Sequence, residues 1–333
     1  MARRWTADKI LNMVRAFQSA SVLAAAAELD IFSAMADQPM TAKSLSAKLG
    51  TDLRATTILL DSLTALRFLT KISDKYIVPL DAARMLTEES PANILPAIRH
   101  QANGLRRWSQ LARITQTGKP VKCKPSIRGQ AADEAAFIGA MDNFSAPFAD
   151  RIVRKLLPLK FRHLLDVGGG PGTWTIAFLR SVPKAKATLF DLPTVIPLAR
   201  RRIAKAGLAK RVRYVAGDYY SDKLPVGADF AWLSAIAHQN SREQNRALFA
   251  KIYSSLQDNG VLVIRDVVME KSRTSPVAGA MFAVTMLVAT QAGGTYTFDE
   301  FRDDLTHAGF TKVKLLHRDK YMNSLIRATK TQT

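Results

Sequence analysis

The segment LLDVGGGPGT (164–173) joins three features suited to holding a small ligand: an apolar run that reaches a carboxylate at Asp166, a loop with Gly168, Gly170 and Gly172, and a helix-forming run from Thr173. Glycines there let the backbone turn sharply and approach a ligand closely. The helix start beyond them favours negative charge. The sixth position of a dinucleotide fingerprint is Thr173 rather than glycine, and no Gly-Lys-Ser/Thr follows, so neither that fingerprint nor a phosphate loop fits. A tight strand-to-helix turn without a ligand is the plain alternative. FDLP (190–193) brings Asp191 and Leu192 to the end of a second β-rich run, about twenty residues on. A carboxylate in that place can accept both hydroxyls of a ribose. GDY (217–219) ends a third run, where Asp218 can take a base amino group and Tyr219 can cover the ring. Each acid alone reads as a solvated turn residue, but three at successive strand ends indicate a bound nucleoside. His238 follows a fourth run, DFAWLS (229–234), on the sheet edge where ligands bind in open α/β folds. Its plain alternative is a capping or exposed histidine ahead of the next helix.

These residues need a scaffold of alternating elements. From residue 163 onward, β-rich runs at 163–167, 187–191, 211–216, 229–233, 260–265, 313–317 and 325–328 alternate with helical patterns at 173–181, 194–206, 241–256 and 298–308. Such alternation predicts an α/β fold with a mostly parallel sheet covered on both faces. The first hundred residues differ. Three-to-four spacing predicts a helix over 6–36. A short helix over 41–50 with Thr41 as its cap and Gly50 as its stop follows, then a helix over 52–66 and a hairpin over 68–78. Helix, turn, helix and hairpin is the order of a winged helix, which serves DNA reading and dimerisation alike. Residues 81–130 read as helical and basic, punctuated by prolines.

The chain has 333 residues, enough for two domains, and a net charge of +20. Basic residues are spread over both halves, but Arg99, Arg106, Arg107, Arg113, Lys119, Lys122, Lys124 and Arg128 occur with no acid among them. That stretch reads as a solvated basic face or an anion-binding one. The single cysteine, Cys123, excludes a disulfide framework and a cysteine metal cluster, so no metal site is expected and a reducing, cytoplasmic location is. Arg3, Arg4 and the small apolar run 20–27 raise an export signal, but the run passes into acidic residues at helical spacing. No apolar stretch reaches the roughly 18 residues that a membrane span needs. The nearest, 277–292, reads as a buried helix.

The pattern Asp-x-Gly-x-Gly-x-Gly resembles the first motif of the S-adenosylmethionine methyltransferases. With AAAAELDIF (24–32), Trp108, Leu111, Gly118–Pro120, FIGAM (137–141) and GGTYTFDEF (293–301), nearly the whole chain resembles the plant caffeic-acid and acetylserotonin type of O-methyltransferase and its bacterial relatives. The resemblance implies a doubly wound Rossmann-like sheet of seven strands, the last antiparallel, behind a winged-helix dimerisation domain. It implies a domain boundary near residue 100: 1–100 for dimerisation and 101–333 for catalysis, with 101–160 a helical linker and acceptor-pocket segment. It implies a homodimer, S-adenosylmethionine as cofactor, and His238 as general base toward a phenolic or other hydroxyl acceptor. An imidazole titrates near 6.5 and a phenol near 10, so histidine is a workable base at neutral pH. Of the two acids that orient the family's histidine, the first maps onto Asp266. The second falls in GTYT (294–297), which has no acid, and Gln239 stands where plant members have an acid. Ser234 occupies the position of the family's cofactor-binding lysine. Met141, Phe144, Met281, Phe282 and Met286 map to the acceptor pocket, where thioethers and rings suit a flat apolar acceptor.

Two other readings remain. A DNA-binding regulator could keep the fold as a ligand sensor, but the helix over 52–66 carries Arg54 as its only basic residue, against Asp52 and Asp61, so nucleic acid is not the expected partner. A non-methylating relative could use the same cofactor for decarboxylation or hydroxylation.

Overall fold

The computed structural model describes residues 4–158 and 160–332, so Arg3 lies outside the described residues. They divide into two compact units, 1–106 with 123–143, and 107–122 with 144–333.

In the first unit, α1 (Ala7–Arg15) and α2 (Phe17–Glu28) stand in place of one long helix. The continuous helix expected over 6–36 stops at α2 because Asp30 takes a left-handed backbone, φ 60°, and only a four-residue turn, Ile31–Ala34, follows. Helix α3 (Ala42–Leu49) is capped by Thr41 and stopped by Gly50 in the left-handed region. Helix α4 (Leu53–Ala65) is capped by Asp52, whose carboxylate accepts from the Ala55 amide at 2.8 Å. The hairpin strands Thr70–Ile72 and Lys75–Ile77 are joined by Met40–Thr41 into a three-stranded wing. Ala26, Phe32, Leu45, Leu60, Leu63 and Tyr76 form the core beneath it.

Helix α1 buries none of its residues, although it carries Ile10, Leu11, Met13 and Val14, and Trp5 and Phe17 flank it. The span Ala7–Glu28 is, by length and composition, long and apolar enough to cross a membrane. The sequence still holds no unbroken apolar stretch of that length. Asp8, Lys9, Arg15 and Glu28 interrupt the apolar run, but an 18-residue window of the span stays apolar on average.

The basic stretch is also corrected in part. Arg99 is buried, donates to the Ala27 carbonyl at 2.9 Å and pairs with Glu88 and Asp30. Arg106 pairs with Glu28, and Arg128 with Glu88. The stretch lacks acids of its own, but the fold supplies them from residues 28, 30 and 88.

Helix α5 (Gln130–Leu156) has its first part in this unit and its second in the other. The second unit is built on β1 (His163–Val167), β2 (Lys186–Asp191), β3 (Val212–Ala216), β4 (Ala228–Ser234), β5 (Leu256–Asp266), β6 (Thr311–His317) and β7 (Ser324–Thr329). Their order across the sheet is β6-β7-β5-β4-β1-β2-β3. All run parallel except β7, which is antiparallel to both of its neighbours. Helices α6 (Thr173–Ser181) and α7 (Ile196–Lys205) contribute Trp174, Phe178 and Ile203 to the core on one face. Helices α8 (Arg242–Ser255) and α10 (Phe298–His307) contribute Leu248, Phe249 and Phe301 to the other. Central strands covered on both faces read as nearly continuous apolar runs, as LLDV and FAWL do. Each large side chain so buried stabilises the fold by about 1.5–3 kcal/mol.

Helix α9 (Val277–Ala289) differs from its expected burial: only Gly279, Met286 and Val288 are buried, while Val277 and Met281 are exposed. It is apolar all round yet lies outside the two sheet cores, so composition alone misplaces it.

Candidate active site

Four adjacent parallel strands, β4, β1, β2 and β3, end on one edge, and each contributes a predicted residue there. At the end of β1, Gly168 has φ 65°, and a Cβ on it would stand 2.8 Å from Ile236 Cδ1. The positive φ favours glycine, and any larger residue would also have to displace the Ile236 side chain. The Gly168 amide donates to the Phe190 carbonyl at 2.8 Å, which ties the loop to β2. Gly172, also at positive φ, caps α6. Beside Gly170 there is open space where a Cβ would project.

Asp191 ends β2. Its carboxylate accepts from the Gly170 amide at 2.6 Å and the Leu192 amide at 2.7 Å. Burial raises its carboxyl above the ordinary range, and these two bonds oppose that rise. Leu192 beside it is exposed. Beyond β3, Asp218 accepts from the Tyr220 amide at 2.8 Å, and Tyr219 packs on Tyr220 with ring centroids 4.6 Å apart. Burial raises the Tyr219 phenol, which keeps it neutral. Lys251 donates to the carbonyls of Tyr219, Tyr220 and Asp222 and so fixes this loop. An acidic oxygen beside glycine amides, open space at Gly170 and a neutral aromatic ring suit the ribose, amino-acid end and base of a nucleoside cofactor.

Asp166 is placed differently. It is fully buried beneath the loop, accepts from the Thr175 hydroxyl at 2.6 Å, and is raised to about 7 by burial. It braces the loop against α6.

His238 lies in a single turn, Ala237–Gln239, and is 6% exposed. Its Nδ1 is 2.8 Å from Asp266 Oδ1, at the end of β5, and its amide donates to Asp266 Oδ2 at 3.3 Å. A carboxylate only accepts, so Nδ1 carries a proton, and in the neutral ring Nε2 presents a lone pair. The position without a second acid is filled by backbone and neutral groups. The Gly294 amide donates to the His238 carbonyl at 2.9 Å, and the Tyr296 hydroxyl donates to the Asn240 carbonyl. The Asn240 side chain is fully buried; it accepts from the Tyr220 hydroxyl at 2.5 Å and donates to Asn245 at 3.1 Å. Asn245 in turn donates to the Ala237 carbonyl at 2.9 Å. The histidine turn is thereby joined to the loop after β3.

Phe282 of α9 meets the His238 ring edge to face, with centroids 4.7 Å apart. Met286 is buried, Met281 and Phe144 are exposed, and Met141 is half-buried in the other unit. Ser234 accepts from Arg265 at 3.1 Å. Sequence reasoning misses Arg265, Asn240 and the role of Gly293–Gly294. The glycine pair is visible as a motif, but Arg265 and Asn240 carry no local signal. A surface cavity of about 510 Å³, lined by Leu157, Phe161, Arg162 and Asp229 among others, involves none of these residues.

The chain is similar to known proteins over most of its length. The O-methyltransferase domain model matches residues 125–311, and the O-methyltransferase dimerisation domain model matches residues 11–87. The chain is 31% identical to a 3-hydroxy-5-methyl-1-naphthoate 3-O-methyltransferase of Streptomyces sahachiroi, over 88% of this chain and 86% of that protein. It is 30% identical to a tetracenomycin polyketide synthesis 8-O-methyl transferase of Streptomyces glaucescens, over 92% and 91%. The crystal structure of human N-acetylserotonin methyltransferase in complex with S-adenosylmethionine has the same fold, with a TM-score of 0.83, 21% identity and full coverage of both chains. The chain therefore belongs to the S-adenosylmethionine-dependent O-methyltransferases that carry this dimerisation domain.

Proposed function

We propose that the enzyme methylates a hydroxyl, most simply a phenolic one, of a small apolar or aromatic acceptor, with His238 as general base. The observation that carries this reading is the buried His238–Asp266 pair, which fixes one tautomer and leaves Nε2 to take the acceptor proton. The two relatives whose names specify O-methylation of fused-ring acceptors support it. S-adenosylmethionine supplies an electrophilic methyl on a sulfonium that is already a good leaving group. The glycine loop, Asp191, Leu192, Asp218 and Tyr219 would hold it, with Asp166 bracing the loop from below and Ser234 at the end of β4. The protein's remaining work is to align the acceptor oxygen and remove its proton. Phe282 excludes water from one side of the histidine, and Met286, Met281 and Phe144 would line the acceptor's path.

We further propose two domains, with the boundary near residue 100, and a homodimer in which a second copy covers α1. The uncovered apolar residues of α1 and the dimerisation match support that assembly.

The test of the base is His238→Ala. S-adenosylhomocysteine affinity by calorimetry should stay within about twofold, because other residues hold it. Methyl transfer to a panel of phenols and naphthols should fall by roughly 10²–10⁴-fold. A variant that keeps most of its rate would overturn the base assignment.

A further inference from the structure

Arg265, one residue before Asp266, points to the opposite face of β5 from the His238 pair. It is 3% exposed. Its Nε donates to Asn323 Oδ1 at 2.9 Å, one terminal nitrogen donates to Ser234 Oγ at 3.1 Å, and its guanidinium lies 4.7 Å from the Trp174 ring centroid. All three partners are neutral. Among the described residues no carboxylate comes within ion-pair distance, 4.0 Å, of its nitrogens. Burial lowers it to about 10, so it remains a cation at neutral pH. The Asp266 and Asp319 carboxylates oppose that fall from a distance, but neither is bonded to the guanidinium, and a buried charge without a directly bonded counter-charge is costly.

Its location names the ligand. Ser234 is the last residue of β4, four residues before His238, and Trp174 stands in the first turn of α6, directly after the glycine loop. The positive end of α6 adds to the same field. Trp232, two residues before Ser234 on the same face, packs on Trp174 at 5.0 Å and has an indole N–H with no acceptor among the described residues. A cation bonded only to neutral groups and an indole N–H without an acceptor thus lie between the cofactor loop and the end of the histidine strand.

We propose that Arg265 receives a carboxylate in the reacting complex, from either the amino-acid end of the cofactor or an acid group on the acceptor. A planar guanidinium suits a carboxylate better than a lysine would, because it offers paired donors in a fixed plane. The inference rests on the methyltransferase reading above and adds a recognition element to it.

The experiment is an equilibrium binding series on the full-length wild type, Arg265→Met and Arg265→Lys, each checked for its melting transition. The probes are S-adenosylmethionine against its decarboxylated form. In the presence of S-adenosylhomocysteine, hydroxybenzoates and hydroxynaphthoates are compared with their methyl esters. If the cofactor is the partner, wild type prefers the carboxylated form by roughly ten- to hundredfold, and Arg265→Met loses that preference. If the acceptor is the partner, the cofactor preference survives in Arg265→Met, while preference for free acids over esters is present in wild type and lost in the variant. Arg265→Lys should keep only part of either. Should Arg265→Met fail to fold, wild type and the lysine variant still decide the question. The proposal is overturned if wild type shows neither preference, or if folded Arg265 variants keep both unchanged. Failure of wild type to bind S-adenosylhomocysteine at all would instead strike the underlying methyltransferase reading.

Discussion

Burial raises the Asp166 carboxyl to about 7, against the hydrogen bond it accepts from the neutral Thr175 hydroxyl. The folded state therefore prefers the protonated acid more than the unfolded chain does, whose value is near 3.9. This contribution to stability is full below about 4 and is lost as pH rises through about 7. Asp166→Asn keeps an acceptor for Thr175 but cannot ionise. Its urea midpoint should fall less than that of wild type between pH 5 and pH 8, and equal pH dependence would refute the assignment. Asp166, Asp191, Asp218 and His238 are legible in the sequence because strand ends are legible, and each stands at the end of a β-rich run or just after one. What those side chains do is less so. Asp166 is readable as a strand-end acid, yet nothing local says that it turns beneath the loop. Arg265 and Asn240 are invisible because their partners, Asn323, Trp174, Tyr220 and Tyr296, are brought together only by the sheet.

At the scale of elements, the turn 290–297 clamps the histidine from behind. A Cβ on Gly293 would stand 2.6 Å from the His238 carbonyl oxygen and 2.5 Å from Thr290 Oγ1. Gly293→Ala must shift the His238 turn or break the Gly294 bond to it. Turnover should drop on the order of 10- to 100-fold, as for a misplaced catalytic group. Calorimetric affinity for S-adenosylhomocysteine should hold, since the glycine loop is not touched. Strands and their helices in the second unit follow the sequence within a few residues, because buried parallel strands and capped helices carry strong local signals. Two elements escape that logic. The helix over 6–36 is interrupted by a non-glycine residue in the left-handed region, which spacing cannot foresee. Helix α9 has the composition of a core helix without the burial.

For the whole molecule, the proposed dimer makes a simple demand on mass. Light scattering should report about twice the 36.7 kDa chain, and Val14→Glu with Phe17→Glu should shift the protein toward monomer at micromolar concentration. A wild-type monomer would contradict the assembly. The Phe282 contact has a different reach. The helix proposed to shape the acceptor pocket also supplies the ring that packs against the proposed base. Acceptor range and reaction rate are then not independently evolvable along α9. A library that randomises Met281, Phe282 and Met286 together should mostly yield slow catalysts, whatever they bind. One that holds Phe282 constant should recover new acceptors at undiminished turnover, making this phenylalanine the hinge between diversification and inheritance.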